Sequence, residues 1–238
     1  MFLLLSGEGP TDIGTSNESV GPMSKFIDHL IARRSQYSLL DCSAYKIISE
    51  HELAAKSKRL KARSRRGKKS PAETRYYFKN ARAMALILQE ESQSRNWEMK
   101  EMIPVLFQDT DNRASSGRGE WQHKWESILN GFQIEKVETG VPMLSKPKSE
   151  AWLLCALRQE YQHCESLENE SGNDNSPNNL KQQLETYLGQ PVTRELLNDK
   201  IDQRKIDVHQ IVDMPSLNAF KQRLNEVLDR FLPPNPFD

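Results

Sequence analysis

Three short, almost wholly apolar runs punctuate the first half of the chain, and each leads into a polar loop and then a helical stretch. The runs are Phe2 to Ser6 (FLLLS), Ala44 to Ser49 (AYKIIS) and Glu101 to Phe107 (EMIPVLF). Continuous apolar segments of this length, closed by glycine or polar residues, read as buried strands, whereas a half-exposed strand would alternate. Pro22 opens a helix through about Ser35, with Phe26, Ile27, Leu30 and Ile31 at helical spacing. Residues 51–96 are helical in composition and are interrupted only at RRGKKSPAE, by Gly67 and Pro71. Trp121 to Asn130 reads as a helix capped by Gly131, and Phe132 to Val137 (FQIEKV) as a further strand. The Pro-bearing turn GVPMLSKPKS then leads into a helix, EAWLLCALRQEYQHC. Strand and helix therefore alternate, the pattern of an α/β fold with a mostly parallel sheet and helices on both faces. The polar stretch 165–180 reads as a flexible loop, and 181–232 as three short helices ahead of LPPNPFD, which cannot continue one.

The chain has 238 residues, 37% of them hydrophobic and 28% charged, the balance of a globular protein able to bury a full core. The opening apolar run is too short for an export signal and no cation precedes it. No stretch approaches the ~18 apolar residues of a membrane span. The expectation is a cytoplasmic protein without membrane contact. The three cysteines, Cys42, Cys155 and Cys164, form no CxxC pair, so they are expected to be reduced and structural rather than disulfide-bonded or zinc-bound.

Net charge is zero, but it is segregated. Between Lys56 and Arg82 there are twelve Lys/Arg against Glu73 alone. Lys61, Arg63, Arg65, Arg66, Lys68 and Lys69, with Tyr76, Tyr77 and Phe78 nearby, offer phosphate-neutralising charge and rings able to stack on bases. A segment so basic calls for a polyanionic partner, and nucleic acid is the first expectation.

Acids follow the apolar runs. Glu8 and Asp12 lie in SGEGPTDIG after the first, and Asp109 and Asp111 in QDTDN after the third. In parallel α/β sheets working residues sit beyond the carboxyl ends of strands, so these four converge at one edge. The D-x-D spacing turns both aspartates to one side of an extended strand end. Oxygen ligands of this kind suit Mg²⁺ or Mn²⁺, and such a site supports in-line displacement at a phosphodiester. The loop is neither G-x-x-x-x-G-K-[ST] nor G-x-G-x-x-G, and a carboxylate inside it would repel phosphate unless a cation intervened. Taken singly, an aspartate after a strand is more often a turn or cap residue. Two such clusters at equivalent strand ends favour the metal reading.

An apolar strand ending in E-G-x-T-D and a later one ending in D-x-D resemble the Toprim domain of topoisomerases, primases and nucleases. Glu150-Ala-Trp-Leu-Leu154 is similar to the E-A-W-L-L segment of stand-alone Toprim-like proteins often encoded beside ABC-type ATPases in bacterial defence islands. The resemblance covers roughly 1–50 and 100–160 and departs from the pattern in the basic insertion 51–96. It implies a Toprim-like core over 1–160, a loop over 161–180 and a helical region over 181–238. It further implies a metal-dependent nuclease cutting DNA or RNA, with an ABC/SMC-type ATPase as partner and an antiviral role. Glu8 would be the acid/base or metal-proximal group, Asp109 and Asp111 the Mg²⁺ ligands, Asp12 a further ligand, and Glu150 a member of the metal shell or a helix-terminal acid. Lys148 would neutralise a phosphate. Two other readings remain open: a Toprim-like binding subunit of an ATPase complex without catalysis, and an RNA-processing ribonuclease.

Overall fold

A computed structural model describes residues 1–16, 19–60, 74–110, 120–158 and 163–232, without the side chains of Ser16 and Thr74. The first apolar run forms β1 (Phe2–Gly7), every residue of which is buried. A tight loop and two short antiparallel segments, β2 (Gly14–Ser16) and β3 (Ser19–Val20), lead to α1 (Pro22–Ser35), which starts at the proline as expected. Then come β4 (Tyr45–Ile48), α2 (Glu50–Arg59) and α3 (Thr74–Arg95). The second half runs through β5 (Met102–Asp109), α4 (Trp121–Ile134), β6 (Val141–Ser145) and α5 (Ser149–Leu157). It ends in α6 (Leu180–Leu188), α7 (Arg194–Asp202) and α8 (Pro215–Leu228), the three helices read from the C-terminal sequence.

The four long strands form one parallel sheet in the order β4-β1-β5-β6. The chain steps outward from β1 to β4, returns across β1 to β5, and steps outward again to β6. Because parallel crossovers are right-handed, α1 and α4 belong to opposite faces of the sheet. Helices α7 and α8 join α1 through Lys25–Asp202 (2.5 Å) and Arg34–Asp229 (2.8 Å). Helix α3 joins α4, where the buried Arg82 pairs with the half-buried Glu135 at 2.6 Å. Covered on both faces, β1 and β5 have no solvent side to write as an alternation, which is why they appear as unbroken apolar runs. Pro104 falls one residue before β6 joins β5, and Pro142 lies on the edge strand β6, places where a missing N–H is tolerated.

The fourth strand is not where the sequence suggested. FQIEKV does not form it: Phe132 to Ile134 continue α4, and the strand is Val141–Ser145, within the segment read as a Pro-bearing turn. Phe132 follows Ile128 at helical spacing and both are fully buried, so the apolar alternation served a helix face. Gly131 is no cap. A Cβ there would meet Ala81 Cβ and Phe78 O, both at 2.6 Å, so the glycine lets α4 approach α3. Gly131→Ala should therefore cost about 1–3 kcal/mol by overpacking, read as a lower thermal midpoint, although alanine is the better helix former.

Two further expectations change. Residues Cys164–Asn169 form a 3-10 turn with Leu167 and Glu168 buried, where an unanchored loop was expected. Cys155 and Cys164 are disulfide-bonded, and only Cys42 is free. The C-x8-C spacing says nothing of pairing; the fold brings the end of α5 back against the turn that follows it. Trp152, Leu153 and Leu154 are core, as their spacing implied. Among the described residues no helix is long and apolar enough to cross a membrane.

Candidate functional site: acids at the switch point of the sheet

Strands β1 and β5 are neighbours whose onward connections leave in opposite directions, and such a switch point opens a crevice at the carboxyl ends of the two strands. Glu8 leaves β1 there, with its N–H donated to Phe107 O (3.2 Å). Gly7 has to be glycine, since a Cβ would stand 2.5 Å from Phe107 O. Gly9 adopts φ +83°, and the chain turns so that Asp12 N–H donates to Gly9 O (3.2 Å). Asp12 O then accepts from Met23 N (2.9 Å), which pins the loop to the start of α1.

The carboxylates meet at Ser149, the first residue of α5. Ser149 Oγ donates to Asp12 Oδ1 (2.7 Å), while Ser149 N donates to Asp109 Oδ1 (3.1 Å), which also accepts from Ser145 Oγ at the end of β6. Loops 97 residues apart in sequence (109 − 12) are thus tied to one backbone position. Asp109 does serve a helix N-terminus, as the cap reading of an aspartate after a strand allows, but the helix is α5, three elements further along the chain than β5. The next residue, Glu150, lies in the first turn of α5, and its Oε2 is buried with no hydrogen-bond partner among the described residues.

Electrostatics record the crowding. Burial, and then the charges of Glu150 and Glu8, push the Asp12 carboxyl up to about 7 against the pull of Ser149 and Lys148. Burial, followed by Asp12 and Glu150, raises Asp109 well above the carboxylate range, opposed by Ser145. Tyr76 is raised by burial and then by the charge of Glu8. Several buried acids packed together form an environment that a further positive charge would relieve.

Asp111 and the cations Lys61, Arg63, Arg65, Arg66, Lys68 and Lys69 lie outside the described residues. Lys148 does not stand out in solvent as a phosphate-binding lysine would. It is buried and paired with Asp174 at 2.6 Å, because the segment before α6 folds over it. At the ends of the basic stretch Lys56 pairs with Glu90 and Arg82 with Glu135, so these two of the twelve cations serve packing between helices.

Several contributors escaped the sequence reading. Ser145 and Ser149 orient both aspartates, and serine gives no warning of such a role. Tyr77 Oη donates to Asp109 O (3.3 Å) and brings α3 over the end of β5. Lys124 did leave a trace: it shares the apolar face of α4 with Trp121, Trp125 and Ile128, and a lysine at a core position needs a partner. It is fully buried, 5.5 Å from the Tyr77 ring centre, and donates to Thr110 O (3.4 Å) inside the D-x-D turn.

No family model, curated protein or solved structure matches the chain. The donors are hard oxygens, and Glu150 Oε2 is an orphan, so the residues fit a hard divalent cation such as Mg²⁺ or Mn²⁺. Among the described residues the trio whose ligand atoms all lie within 4.8 Å of one another is Cys155, Cys164 and Asp213, not the acids.

Proposed function

We propose that the protein is a Mg²⁺- or Mn²⁺-dependent phosphodiesterase of the Toprim kind that cleaves nucleic acid. The observation that carries this reading is the joint anchoring of Asp12 and Asp109 on Ser149, at the switch point of a parallel sheet. Glu8, Asp12, Asp109 and Asp111 would hold the ion, which when bound polarises a phosphoryl oxygen and stabilises the leaving oxygen.

The chain's own groups have separable tasks. Ser145 and the Ser149 N–H both bond Asp109 through Oδ1, which sets the direction of its other oxygen. Asp12, held by Ser149 Oγ through Oδ1, would face the ion as a carboxylate whose charge the ion compensates. Glu8, just off the end of β1, positions the nucleophile or takes its proton. The basic segment between α2 and α3 supplies the counter-charge for the strand, flanked by exposed Lys58, Arg59 and Arg75. The sequence resemblance supports an ABC/SMC-type ATPase as partner in an antiviral system.

Incubation of the purified protein with duplex DNA, single-stranded DNA and total RNA tests the reading. Cleavage should appear with Mg²⁺ or Mn²⁺, vanish with EDTA, and fall roughly 10²–10⁴-fold in Glu8→Gln. Cleavage of DNA alone or of RNA alone would decide the substrate class. One other reading is a binding subunit whose acids are not catalytic: among the described residues the acids do not bring three ligand atoms within 4.8 Å of one another. That reading wins if an ATPase partner stimulates no cleavage of any substrate and binds Glu8→Gln as well as wild type.

A further inference from the structure

At the far end of α5 from the acid cluster, Cys155 and Cys164 are joined with their Cα atoms 5.5 Å apart, and both are fully buried. Asp213, just ahead of α8, turns its carboxylate toward them. One oxygen accepts the Cys164 N–H at 2.9 Å, and the other stands 3.8 Å from Cys155 Sγ. A disulfide sulfur carries no hydrogen, so in the oxidised pair this second oxygen gains no hydrogen bond from the atom it faces. The three ligand atoms all lie within 4.8 Å of one another. Asp213 is half-exposed, so the group has an edge open to solvent.

We propose that, in the reduced protein, Cys155 Sγ, Cys164 Sγ and an Asp213 oxygen bind a zinc-class divalent cation, and that the disulfide is the oxidised, metal-free form of this site. Two thiolates and one carboxylate are a mixed soft and hard donor set, suited to a borderline cation in tetrahedral geometry and not to Mg²⁺. Water on the Asp213 side completes the fourth position. The interconversion balances. A dithiol reductant gives two electrons and two protons to the Sγ–Sγ bond, which breaks to two thiols while the reductant closes to its own disulfide. Binding of the cation then releases both thiol protons to solvent. The carboxylate gives the site selectivity for the cation over the bare thiolate pair: beside Asp213 two thiolates alone would face a third negative charge, which the metal compensates. The site draws on none of the acids proposed for phosphodiester cleavage and stands or falls separately from them.

Cobalt(II) titration of the protein carrying Cys42→Ser, which removes the exposed free thiol, provides the test. After reduction and removal of reductant, about one Co²⁺ per chain should bind with a thiolate-to-cobalt charge-transfer band in the near ultraviolet and tetrahedral bands in the visible. Zn²⁺ should displace it, and Mg²⁺ at high concentration should not. The band should be absent before reduction and in Cys155→Ser or Cys164→Ser, and Asp213→Asn should weaken Co²⁺ binding at least 10-fold. In case the cysteine variants misfold, the Cys42→Ser protein itself supplies a second readout: reduction should expose two thiols to a disulfide reagent, and Zn²⁺ should protect both. The proposal is overturned if the reduced protein shows no charge-transfer band, if Zn²⁺ leaves both thiols reactive, or if Asp213→Asn binds Co²⁺ as tightly as its parent.

Discussion

The double variant Asp12→Asn/Asp109→Asn should be more stable than wild type at pH 8 without divalent ions, and yet have no nuclease activity. Both carboxyls have raised pKa values in the folded protein, with burial the largest cause. A raised carboxyl means that the folded state keeps a proton that the unfolded chain has already released. The stabilisation is then full below about pH 4, the unfolded value, and is lost as pH rises through about 7 for Asp12, with Asp109 shifted in the same direction. Asparagine keeps the Oδ1 acceptor that Ser145 and Ser149 use and removes the charge, so the variant escapes this loss. Other titrating groups, among them Glu168, His29 and His209, occur in both proteins, so the difference between the two stability curves isolates the pair. That difference should grow by several kcal/mol from pH 5 to pH 8 in EDTA. Mg²⁺ or Mn²⁺ at millimolar concentration should raise the wild-type midpoint at pH 8 and leave the variant unmoved, because an ion that binds only the folded, ionised cluster stabilises by mass action. Activity should fall at least ~10³-fold, the equivalent of several kcal/mol of lost transition-state stabilisation. Parallel stability curves for the two proteins would show that the acids are not in conflict and would remove the physical case for an ion at this edge.

The other large effect is expected far from the acids' own atoms. Trp152 is fully buried in α5, and its Nε1 donates to Ser216 Oγ at 2.9 Å. Ser216 in turn donates from both its N (2.8 Å) and its Oγ (2.6 Å) to Glu168 Oε1, so the indole ties α5, the 3-10 turn and the start of α8 together. Trp152→Ala removes the largest fully buried side chain among the described residues and leaves a cavity, at a cost of ~3–5 kcal/mol. In a chain of this size that corresponds to a midpoint lower by roughly 10 °C or more. Trp152→Phe keeps most of the volume and loses mainly the hydrogen bond, about 1 kcal/mol. Because α5 begins with Ser149 and Glu150, the alanine variant should also lose activity at temperatures where it is still folded, while the phenylalanine variant should not. Melting curves and cleavage rates on the same samples decide this. Equal stability of the alanine variant and wild type would mean that α5 is not held by this contact.

The sequence by itself determined the strands β1, β4 and β5, the helix beginning at Pro22, the three C-terminal helices, and the acids beyond two strand ends. Buried parallel strands leave an unbroken apolar signature and helices a periodic one, and both are local properties of the chain. It failed where one local pattern fits two outcomes. FQIEKV satisfies strand alternation and a helix face alike, and Gly131 looks the same as a cap or as a point of helix contact. Only the tertiary structure decided that Ser149 would hold Asp12 and Asp109 together, that Lys148 would be buried on Asp174, and that Cys155 would meet Cys164 beside Asp213. Each of these joins residues brought together by the right-handed return of the chain across the sheet or by the packing of the C-terminal helices, and no periodicity or spacing within either partner's own segment encodes the other.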